Sequence, residues 1–133
     1  MATRGRRVVR KPSLADSARI ALAGIRIFNG ANGLFAPGLL ARRLGVEESA
    51  GPMGYPFRMF GIRTILIGAD LLARDPGVRR HALRAAVIVH ASDTVSAFTT
   101  GVTGGLPRRG ATAATAISAV NVVLALVASR RVS

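Results

Sequence analysis

The chain has 133 residues, enough for one domain, with half of them hydrophobic, a mean hydropathy of +0.37 and only 19% charged. That is too apolar for a disordered basic protein, and a single lysine with six acids cannot coat the wet faces of a water-soluble helical bundle. The formal net charge of +13 would suit a nucleic-acid binder, but most arginines cluster at the ends of apolar segments and there is no tryptophan to stack on bases, so no nucleic-acid partner is expected.

Residues 1–12, with Arg4, Arg6, Arg7, Arg10 and Lys11, read as a disordered basic tail on the cytoplasmic side. Arg6-Arg7 is followed by Val8-Val9-Arg10 rather than by the apolar core of a cleaved signal, so cleavage is not expected. Ser13 caps a first helix of about residues 14–36, which carries Leu22, Ile25, Ile27 and Phe28 and is interrupted by Arg26, Asn29 and Asn32. Pro37-Gly38 breaks it. Residues 39–44, with Arg42 and Arg43, then form a short interfacial helix, and residues 45–54 a loop punctuated by Gly51-Pro52. Pro56 opens a second long helix, to about residue 73. Asp75-Pro76 supplies an N-cap and a first-turn proline for the third, which runs to about residue 100 and is closed by Gly101, Gly104 and Gly105. Pro107 opens the fourth, to about residue 130; its stretch 111–129 contains no charged residue and is long enough to cross a bilayer core.

The expected fold is all-α: a four-helix transmembrane bundle over residues 13–131, with the short interfacial helix between its first two members. Arg74, Arg79, Arg80, Arg84, Arg130 and Arg131 fall on the side of the basic tail. Arg42, Arg43, Arg108 and Arg109, partly offset by Glu47 and Glu48, fall on the other. This excess predicts a multi-pass protein of a bacterial inner membrane with both termini in the cytoplasm.

Three of the four apolar stretches carry polar, mostly ionised side chains near their middles: Arg26 in the first, Arg63 and Asp70 in the second, His90 and Asp93 in the third. A charge in hydrocarbon costs about 2.5–3.5 kcal/mol, so such residues face the interior and pair. Each lies on a helical stripe that also holds small residues, as do Ser118, Asn121 and Ala125 in the fourth. With adjacent helices antiparallel and rising about 1.5 Å per residue, Arg26, Arg63, His90 and Asn121 come near one height. The expected pairs are Arg63 (or Arg26) with Asp93, and Arg19 with Asp70, since the planar arginine fork satisfies a carboxylate with two bonds. The candidate ligand-binding site is Arg26, Asn29, Arg63, Asp70, His90 and Asp93. Arg26, Asn29, Arg63 and Asp93 would meet the polar end of a ligand, and Asp70 and His90 would hold or neutralise them.

Other chemistry finds little footing. No cysteine is present, which closes disulfide, thiol-redox and cysteine–zinc readings. His90-x-x-Asp93 with Asp70 offers three metal ligands, but the nearby arginines repel a cation, and no metal is expected. Ser92 and Ser96 lack a nucleophile-elbow context. No phosphate-cradling or dinucleotide motif occurs, and no cofactor is expected.

The stretch Asn29-Gly30-Ala31-Asn32-Gly33 at the end of the first helix, and Arg58-Met59-Phe60-Gly61-Ile62-Arg63 opening the second, resemble those of small bacterial four-helix membrane proteins, the DoxX-like class and its relatives. The resemblance covers most of the chain from about Ala18 and implies the four-span fold more than an activity. Members tied to quinone or thiol redox systems often use cysteines or a partner subunit, and this chain has no cysteine. The Ala- and Arg-rich, Lys-poor composition resembles that of high-GC bacteria.

Three functional readings stay open. The leading one is a non-enzymatic membrane protein, in contact with membrane lipids, that binds a lipid-like or small amphipathic ligand or supports a membrane partner. The second is a membrane enzyme acting on a lipid or isoprenoid, with His90 and Asp93 as acid and base. The third is a structural subunit of a homo-oligomer in which every buried charge is paired.

Overall fold

Serine 13 starts the first helix as expected: its hydroxyl accepts the Asp16 backbone N–H at 3.1 Å and donates to the Asp16 carboxylate at 2.7 Å. The computed structural model describes residues 11–46 and 54–130, and all its regular structure is helical: α1 (Leu14–Phe35), α2 (Pro37–Arg43), α3 (Gly54–Leu71), α4 (Pro76–Val102) and α5 (Arg108–Ser129). The basic tail through Arg10, most of the loop expected at residues 45–54, with Glu47 and Glu48, and Arg131 lie outside the described residues.

Local chemistry explains the breaks. Proline 37 cannot continue α1, because it has no N–H and pushes Ala36 off helical geometry, to φ −135° and ψ 55°. It opens α2 instead. Asp75 caps α4 through a 2.8 Å bond from the Val78 N–H, with Pro76 in the first turn. Contrary to expectation, α4 does not stop at Gly101 but runs on to Val102, and Gly104 makes the turn with φ at +78°. Proline 56 falls in the first turn of α3 rather than at its head.

The long helices pack as two pairs, α1 along α3 and α4 along α5, and the pairs meet where α1 touches α5 and α3 touches α4. α1 and α3 approach backbone to backbone. A Cβ built at Gly61 would lie 2.6 Å from the Gly30 carbonyl, and one at Gly30 would lie 2.7 Å from the Gly61 carbonyl, so neither position admits a side chain. The core is correspondingly small-grained: Ala18, Leu22, Ala23, Leu71, Ala82, Leu83, Ala86, Ala125 and Ala128.

The large apolar side chains point the other way. Phe35 is 81% exposed, Ile88 70% and Phe28 60%, with Leu66, Val95, Phe98 and Val123 also outward. Meanwhile Arg26, Thr64, His90 and Asn121 are buried, one on each long helix. A water-soluble fold sorts these classes in the opposite sense.

Among the described residues one helix, α5, is long and apolar enough to cross a membrane by length and composition. The other three stretches expected as spans fall short on that measure. Arg19 and Arg26 in α1, Arg58, Arg63 and Asp70 in α3, and Arg79, Arg80, Arg84 and Asp93 in α4 pull their mean hydropathy down.

Candidate functional site

Below Arg26 the four long helices close on the alanine-rich core; above it they diverge around a cavity of about 400 Å³. Arg26, Thr64, His90 and Asn121 lie on the boundary and all line the cavity. The same helices supply its walls one to two turns further on, through Asn29, Phe60, Phe57, Asp93, Ala97, Ser118 and Ile117. Leu40 of α2 and Leu44 just beyond it cover the top.

The floor is an incompletely satisfied polar layer. Arg26 is 1% exposed, Asn121 3% and His90 6%. Arg26 Nη1 donates to His90 Nε2. A guanidinium has no acceptor, so that bond places the ring proton of His90 on Nδ1. Nδ1 faces Asp93 Oδ2 at 3.9 Å, too far for a hydrogen bond. Asp93 lies within electrostatic reach of both Arg26 and Arg63. Among the described residues, four buried side-chain atoms are left with no hydrogen-bond partner: Arg26 Nε, Arg26 Nη2, His90 Nδ1 and Asn121 Oδ1. Each such atom costs about 1–3 kcal/mol, and more where it is charged, so four in one place call for something to meet them.

Of the six residues singled out from the sequence, the structure gathers four, Arg26, Asn29, His90 and Asp93, around this cavity. Arg63 and Asp70 are not on its wall; both are exposed on α3. The buried stripe of α3 is Gly61, Thr64, Gly68 and Leu71, and Arg63 and Asp70 each stand one residue, about 100° of turn, off it. The pairing of Arg63 with Asp93 is therefore long-range only. Within 4.0 Å, the one basic group beside Asp93 among the described residues is His90. Arg19 does not pair with Asp70 either. Its Nη1 donates to the Leu71 carbonyl at 2.6 Å, and its Nη2 lies 3.8 Å from Asp16, one turn back on its own helix. The Leu71 carbonyl ends α3 with no helical partner, which makes it a natural seat for a guanidinium. No three His, Asp or Glu side chains converge among the described residues, and Asp70 does not join His90 and Asp93.

Sequence reasoning left Thr64 and Asn121 out of the site. Asn121 carried a usable signal, because it is the one carboxamide in α5, within its uncharged stretch 111–129, and shares a stripe with Ser118 and Ala125. Thr64 offered only its place between two glycines of the stripe.

No protein-family model, no curated protein and no solved structure matches the chain. Its function is therefore read from its own geometry.

Proposed function

We propose that the chain is a small integral membrane protein that receives the polar end of a lipid-like or small amphipathic ligand in the cavity between its helices. One observation carries the reading: an apolar-walled cavity of about 400 Å³ whose floor holds Arg26, His90 and Asn121 with four buried polar atoms lacking partners. That volume lies within the usual range for small-molecule sites, about 300–1,000 Å³, and the layout of apolar walls with a few convergent polar groups is the usual one.

Membrane residence is supported by the inverted sorting of side chains, the glycine-to-glycine contact of α1 with α3, and the uncharged stretch 111–129 of α5. In this reading all four long helices cross the bilayer. Arg26, His90 and Asn121 keep their polar groups inside, and the basic residues at the helix ends contact lipid head groups. Both termini are cytoplasmic. The fold would then be the four-span arrangement that the DoxX-like resemblance implies.

Acid–base catalysis on a lipid or isoprenoid has in its favour that His90 and Asp93 both reach the cavity wall. Against it, Nε2 of His90 is already held by Arg26. A purely structural subunit calls for paired charges and a filled interior, and the unpartnered floor weighs against that.

Native mass spectrometry of the full chain purified in mild detergent tests the proposal. A monomer or oligomer carrying one retained amphiphile per chain is expected. Protein that is uniformly bare, and that stays bare after incubation with lipid extract, would overturn it.

A further inference from the structure

Arginine 26 has two edges. Nη1 is engaged by His90 Nε2, whereas Nε and Nη2, which lie along the opposite edge, are buried and unpartnered. Two parallel N–H groups on one guanidinium edge match the two oxygens of a single planar carboxylate. Asn121 also lines this cavity with its Oδ1 unmatched, and turning that amide about its last bond presents an NH2 donor there instead.

Charge and shape agree with this geometry. Among the described residues no carboxylate lies within 4.0 Å of Arg26, so its buried positive charge has no close counter-ion. A monoanion would supply one. The floor is closed beneath by the alanine-rich core, so whatever reaches it must arrive with its charged group leading. A phosphodiester buried between two acyl chains and a head group cannot lead; a carboxylate ending a single chain can. Leu40, Leu44, Phe57, Phe60 and Ile117 provide apolar walls for one such chain in a cavity of about 400 Å³.

We infer that the ligand is a single-chain amphiphile ending in a carboxylate, seated on the Nε/Nη2 edge of Arg26 with Asn121 beside it; this rests on the amphiphile-binding reading above and narrows it to one head-group chemistry. Asp93 does not occupy the seat: within 4.0 Å, its one basic neighbour among the described residues is His90.

The test is a native mass spectrometry titration of the full chain in detergent with palmitate, 1-hexadecanol and hexadecyl phosphate, at a pH where the acid is ionised. A bidentate charge-assisted contact predicts that palmitate binds about tenfold or more tighter than hexadecanol. Arg26→Met should bring the two within about twofold of one another, and Asn121→Leu should weaken palmitate more than hexadecanol. The head-group comparison on the unaltered chain decides the matter even if Arg26→Met does not fold. Equal binding of palmitate and hexadecanol would overturn the carboxylate inference and leave the amphiphile reading standing. Hexadecyl phosphate binding as tightly as palmitate would also overturn it, since a tetrahedral head would then serve as well as a planar one. If none of the three probes binds, both the inference and the reading beneath it fall.

Discussion

The two ends of the helix assembly are built from the same four long helices and do opposite things. Toward the start of α1 and the end of α5, alanines and three leucines pack together as the buried core. Toward the end of α1 and the start of α5, the same helices hold a cavity open over Arg26, His90 and Asn121. The difference lies in which residues face inward. At the closed end the fully buried positions are apolar and Arg19 reaches in to the Leu71 carbonyl; at the open end, inward polar groups face bulky side chains such as Phe57 and Phe60 that line a space rather than fill it. Packing holds the first end together, and what the second end lacks is what the proposed ligand would supply.

The strongest way to break the contrast is to attack the close contact of α1 with α3 beside the open end. Gly61→Leu drives a side chain into the Gly30 carbonyl and the Leu34 N–H, each 2.6 Å from the new Cβ, so folded, monodisperse protein should be lost on size exclusion. Next comes Leu22→Ala in the closed end. It should lower stability by about 2 kcal/mol in a thermal melt in detergent, because mainly the cavity part of the usual cost remains where lipid replaces water as the alternative surroundings. Ligand retention should be unchanged. Arg26→Met at the open end should show the reverse pattern: retention of palmitate is lost, while the melt moves by no more than about 1 kcal/mol, since removing two unpartnered donors offsets the lost bond to His90. The smallest effect is expected for Asp70→Asn. That carboxylate is exposed and off the cavity wall, so melt and retention should both match the unaltered chain.

Much of the helical scaffold was legible in the sequence. Ser13 and Asp75 announced two helix starts through their capping chemistry, and Pro37 announced a break. The inward face of each helix was harder to read. His90 and Arg26 stood out because a polar group amid apolar neighbours has to be housed somewhere. On α3 the same logic misled: Arg63 and Asp70 drew notice as charges, while the buried stripe ran through Gly61, Thr64 and Gly68 beside them. Close helix contact selects for small residues, so glycine spacing was the better guide to facing than charge. The short contact of Arg19 with the end of α3 was not legible, because a backbone carbonyl leaves no mark in a sequence.

One consequence follows from the glycine contact between α1 and α3. Two backbones in touch, with no side chain between them, leave little slack, and these helices are expected to move as a single body. α4 and α5 likewise run together over their length, whereas the two pairs share shorter borders. Spin labels on α1 and α3 should keep their separation when palmitate is added, while labels across α1 and α4 should not. Any breathing of the interior is then a parting of the two pairs along their common seam, beneath α2. A guest would enter past α2 with its charged group first, because below Arg26 the alanine plug bars the way.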